Sequence, residues 1–181
     1  MAMTDGYPFI FQMNDRAGHD DVLEYTLQYR FKSTRTNHTY IVRVERYIQH
    51  SYCLKFFDKA NMLSDNKFSL RTGTFEARTI FYTLLNIMLD VLEKDHKASF
   101  FFIGAEDEKD VPGVATRRFK VYVKFVLSTI GDRVFKHFRV NDLSLYILAN
   151  KEYVDDMDAY VRKVIENVVK AMRNRPYLEV N

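Results

Sequence analysis

Residues 24–32 alternate strictly: Tyr25, Leu27, Tyr29 and Phe31 point one way, and Thr26, Gln28, Arg30 and Lys32 the other. Period two over nine residues describes a half-buried strand, because successive side chains leave opposite faces of an extended backbone. The polar stretch Ser33–Asn37 makes a turn. Tyr40, Val42 and Val44 then alternate with Arg43 and Glu45, Gln49–Ser51 breaks the chain again, and Tyr52, Leu54 and Phe56 start a third strand. Consecutive strands joined by short polar links form an antiparallel meander. Tyr7–Met13 and Lys67–Arg71 are expected to add edge strands.

The period then changes. Ala77, Ile80, Phe81, Leu84, Met88 and Val91 recur at three and four, with Thr74 as N-cap, which predicts a helix to about Lys94. Ser99–Gly104 is an apolar run too short for a helix and reads as a strand. A second helix carries Phe119, Tyr122, Val123, Val126, Leu127 and Ile130, and Gly131 stops it. Phe135–Val140 and Leu143–Leu148 form a strand pair about Asn141-Asp142. A last helix, from about 154 to 175, repeats Met157, Val161, Val164, Val168 and Met172, with acids at its start and bases at its end. Strands early and helices late predict one α+β domain over 1–181, a twisted, mainly antiparallel sheet with two or three helices packed on one face.

Composition excludes several classes. Of 181 residues, 47% are apolar and 28% charged, so the chain can bury enough surface to fold. The single Cys53 rules out a disulfide framework and reads as a small hydrophobe. No run approaches the ~20 apolar residues of a membrane span. With no leader visible, a reducing cytoplasm is the expected compartment.

Chemistry concentrates in one loop. Behind Gly104 come Glu106, Asp107, Glu108 and Asp110, and the next helix opens Thr116-Arg117-Arg118. A loop between strand end and helix start is where backbone amides converge on anions. Arg117, Arg118, Glu106, Asp107 and, on the first helix, Arg78 are therefore the candidate ligand-binding residues. The alternative is that the arginines pair back onto the loop's own carboxylates. The acids lack the ordered spacing of a calcium loop, and the five histidines are scattered, so no metal or other cofactor is expected. No glycine-rich phosphate cradle or nucleophile elbow is present.

Two basic patches stand out: Arg117, Lys120 and Lys124 at i, i+3 and i+7, and Arg30, Lys32 and Arg43 on the polar face of the meander. A net charge of only +3 makes nucleic-acid contact the lesser reading. Tyrosine and phenylalanine abound, with 12 and 15 copies, which favours a binding module that self-associates or meets a protein partner through its aromatic sheet or its last helix. A nucleotide or phosphate sensor, or an enzyme using the 104–118 loop, is the alternative.

The segments Thr74–Ile80 (TFEARTI), Phe100–Gly104 (FFFIG) and Thr116–Phe119 (TRRF) resemble a group of small uncharacterised bacterial proteins. The likeness covers Tyr25 to Ile130 and implies an α+β fold without implying an activity. The acidic 106–110 stretch and the last helix depart from the group's pattern.

Overall fold

A computed structural model describes residues 5–18, 20–65, 67, 76–106, 110, 111 and 113–174, the last three of these through their backbone. The chain divides into two compact units, Met1–Ala98 and Ser99–Asn181. Each unit is built from antiparallel strands and helices, so the fold is α+β.

The first unit is the meander. Strands β1 (Phe9–Asp15), β2 (Leu23–Lys32), β3 (Thr39–Tyr47) and β4 (Ser51–Asp58) pair in sequence order, all antiparallel. The register sets Tyr29 opposite Val42 and Val42 opposite Phe56, so the apolar positions of the alternation share one face. Helix α1 (Ala77–Lys94) lies on that face, and Tyr29 donates a 2.7 Å hydrogen bond to Asp90 of the helix. Phe31 stacks on Tyr40 at 4.9 Å. The expected cap Thr74 lies outside the described residues, as do residues 68–71 of the extra strand, whose Lys67 sits in a turn.

The buried side of α1 differs from the expected stripe. Ile80, Thr83, Leu85, Asn86, Ile87 and Val91 are inside, whereas Ala77 is exposed and Leu84 and Met88 are half-buried. Thr83 is tolerated in the core because its hydroxyl accepts the Tyr7 amide at 2.8 Å and donates to Thr79 O. The N-terminal arm crosses the helix so closely that a Cβ on Gly6 would stand 2.8 Å from Thr83 N.

In the second unit, β5 (Ser99–Ile103), β6 (Phe135–Val140) and β7 (Leu145–Asn150) form an antiparallel set with β7 between the other two. Helix α2 (Arg117–Thr129) packs Phe119 near Phe102 and Tyr146, which themselves stack at 5.2 Å. All six residues of β7 are buried, five of them the apolar run Leu145–Ala149 and the sixth the polar Asn150. The β6–β7 link is longer than a two-residue turn: a single 3₁₀ turn, Asn141–Leu143, is followed by Ser144 in the left-handed region at φ 46. Helix α3 (Met157–Asn174) starts where Asp156, one of the acids at its start, accepts the Ala159 amide. It buries Tyr160, Val164, Asn167, Val168 and Ala171.

Candidate functional site

The loop singled out by sequence ends in a tight internal junction. Thr116 caps α2, its Oγ1 accepting the Phe119 amide at 3.1 Å and donating to Gly104 O at 3.1 Å. The Thr116 amide donates to Ser144 Oγ, and Gly104 N to Ser144 O, both at 2.9 Å. A Cβ on Gly104 would stand 2.6 Å from both Phe119 Cβ and Thr116 Oγ1, so only glycine lets the strand end and the helix start approach this closely. Asp110 then accepts the Arg117 amide at 3.0 Å. Two of the first-turn amides that would greet an anion are thus held by the chain's own oxygens.

The side chains around this junction diverge. Arg117 is exposed and Arg118 half-buried, where its charge acts on the Tyr122 phenol that burial has pushed up. Glu106 is half-buried, and Asp107 lies outside the described residues. Arg78, in the first unit, is exposed with its guanidinium 5.6 Å from the Tyr82 ring. The patch on the meander is partly neutralised, because Arg43 meets Asp15 at 3.4 Å. Arg30 is half-buried beside it and Lys32 exposed. On α2, Lys120 and Lys124 are fully on the surface with Arg117.

Sequence reading missed two carboxylate centres, both at the ends of α1. At its start, Glu76 is 4% exposed and accepts four hydroxyls: Tyr7 at 2.6 Å, Ser33 at 2.7 Å, and Thr36 and Tyr40 at 3.1 Å. Burial alone would raise its pKa, but the four donors outweigh it and hold the carboxyl below its ordinary value. The positive end of the helix favours the same charge. Burial, together with the bond to Glu76, pushes the Tyr7 phenol up, keeping it a donor.

At the other end, Asp95 sits against the negative pole of α1 and needs compensation. It receives His50 Nδ1 at 2.7 Å and the Tyr52 hydroxyl at 2.8 Å, with Arg46 Nε 3.8 Å away. These bonds overcome burial and lower the Asp95 pKa. An ionised carboxylate only accepts, so Nδ1 carries the proton, and Arg46 Nη2 at 3.2 Å from that nitrogen touches it without a hydrogen bond. Arg46 is further fixed by Glu24 at 2.6 Å and lies over the Tyr25 ring. The partners of Glu76 and Asp95 are 36 to 69 residues distant in the chain, and no local pattern announces them.

Other reactive groups are closed off. Cys53 is buried, which pushes its thiol up to about 12. Glu45, 5% exposed, is held by Lys55 at 2.8 Å and Tyr47 at 2.7 Å, and His38 bonds to Asp58. In the second unit a shallow, open cleft of about 560 Å³ lies between the end of α2 and the start of β6, lined by Leu127, Ile130, Phe135, Lys136, His137 and Lys151, with Asp132 at its side. There His137 donates through Nε2 to Gly131 O at 3.3 Å, so Nδ1 accepts the Tyr146 hydroxyl at 2.7 Å. Among the described residues no group of three His, Cys, Asp or Glu side chains could hold a metal ion.

Strand β1 is an edge strand. Among the described residues it pairs only with β2, and Ile10, Phe11 and Met13 are 58%, 45% and 48% exposed. Edge strands are normally blunted by lysine, proline or inward charge. Phe9–Asp15 contains neither lysine, arginine nor proline, and Asp15 at its end is tied to Arg43. A one-residue bulge at Gln12 puts Ile10 and Met13 on the same face, opposite Arg30 and Gln28.

No helix among the described residues is long and apolar enough to cross a membrane. Neither a family model, nor a curated protein, nor a solved structure matches the chain.

Proposed function

We propose that the protein is a non-enzymatic interaction module that self-associates by pairing β1 with β1 of a second copy. The observation that carries this is the exposed apolar edge of Ile10, Phe11 and Met13 on a strand that has no outer neighbour among the described residues. Antiparallel pairing about a two-fold axis joins the outward amides and carbonyls of alternate residues along the seven-residue strand to those of the partner, over a span of roughly 24 Å. It also brings each copy's Ile10 and Met13 into the partner's apolar edge. The buried, unreactive Cys53 thiol suits the reducing cytoplasm expected from sequence.

Sedimentation velocity tests the proposal. The wild-type chain is expected to sediment as a dimer at high micromolar concentration. Ile10→Lys with Met13→Lys, which installs the missing edge charges on two exposed positions, is expected to yield a monomer with unchanged circular dichroism. A wild-type monomer, or a double variant that still dimerises, overturns it.

A further inference from the structure

Helix α2 carries four basic residues and no acidic one. Three of the four, Arg117, Arg118 and Lys120, stand in the first turn, where the positive pole of the helix disfavours cations, and the last turn holds none. Charges in this order do not serve the helix. Arg117, Lys120 and Lys124 project within one sector of about 60°, all exposed, and have no ion pair among the described residues. Val121 and Leu127, 51% and 49% exposed, flank that stripe on opposite sides.

The stripe runs along a helix of about 20 Å toward the shallow cleft beyond Leu127, where Lys136 and Lys151, the latter donating to Asp132 O at 2.8 Å, outnumber the one acid, Asp132, around Phe135 and Ile130. We infer that this surface binds single-stranded nucleic acid, with backbone phosphates on Arg117, Lys120 and Lys124 and an unstacked base in the cleft. Cations at successive turns match a polyanion, and the open cleft of about 560 Å³ beside them offers the apolar side chains of Leu127, Ile130 and Phe135 to a flat ring. A membrane surface fits less well, because Val121 and Leu127 are separated by the basic stripe and form no continuous apolar face. A duplex offers no free base for the cleft. Arg30, Lys32 and Arg43 belong to the first unit, where Arg43 is paired with Asp15, and do not enter the inference. The inference is independent of β1 pairing, because its residues lie in the second unit.

The test is fluorescence anisotropy with a labelled oligothymidylate of about 16 nucleotides. Parallel arms use a duplex of equal length, polyglutamate, and phosphatidylserine vesicles. The expected result is single-strand binding that weakens with salt, at ~0.7 in logarithmic slope per phosphate engaged. Lys120→Glu with Lys124→Glu, both on exposed positions, is expected to weaken it at least tenfold and to flatten the slope by about 1.4, with unchanged circular dichroism. Absence of binding at low salt, equal binding by the double variant, or tighter binding of duplex, polyglutamate or vesicles would each overturn the assignment.

Discussion

His50 Nδ1 stands 2.7 Å from Asp95 Oδ2 although His50 and Gln49 before it both occupy the left-handed region, at φ 53 and φ 61. Two adjacent non-glycine residues there cost about 1 kcal/mol or more each. The β3–β4 turn thus holds an unfavourable backbone that delivers an imidazole to the end of α1.

Substitution separates the two contributions. Gln49→Gly removes strain only and is expected to raise unfolding free energy by up to about 1 kcal/mol. His50→Gly relieves the same strain but takes a donor from Asp95, and is expected to lower it by about 1 kcal/mol. Urea denaturation of both variants reads the signs, and a gain in both would show that the His50–Asp95 bond is worth less than the backbone strain that delivers it.

Glu76 links stability to pH. Its folded pKa lies below the ordinary ~4.3, so its contribution is complete above that pH and is lost as pH falls through the lower folded value. Glu76→Gln is expected to cost about 2–4 kcal/mol near neutrality, since buried hydroxyls lose an ionised acceptor. The gap from wild type should narrow progressively as pH falls below ~4.3. A gap of constant size over that range contradicts the account.

Gly104→Ala forces a Cβ to within 2.6 Å of two neighbours. Overpacking of this kind costs about 1–3 kcal/mol, and thermal melting is expected to show a clear drop in midpoint. A midpoint equal to wild type would mean that the junction with Thr116 and Ser144 yields freely.

Cys53, with its thiol pushed up to about 12 by burial, should resist a disulfide exchange reagent in the native protein at neutral pH. Full labelling is expected in guanidinium chloride. Rapid native labelling would place the thiol at the surface.

Much of the fold was legible because it rests on local periodicity. The alternation of Tyr29, Val42 and Phe56 set the face of the meander, and Thr116 beside a run of cations marked the start of α2. The inside of α1 was not legible, because Thr83 and Asn86 enter the core only where the N-terminal arm crosses them. The 104–118 loop drew the eye through its charges, yet what distinguishes it structurally is a hydroxyl-and-carbonyl junction made by Gly104, Thr116 and Ser144. Glu76 was not legible as the meeting point of four hydroxyls, since hydrogen-bonding partners from distant segments leave no trace in spacing.

That meeting point has a consequence for how the first unit assembles. Tyr7, Ser33, Thr36 and Tyr40 arrive from the arm, a turn and a strand. A carboxylate with only some of these donors is better solvated by water, so half-built arrangements gain little from it. Arm, turn, strand and helix therefore commit together, and one proton on a single oxygen loosens all of them at once.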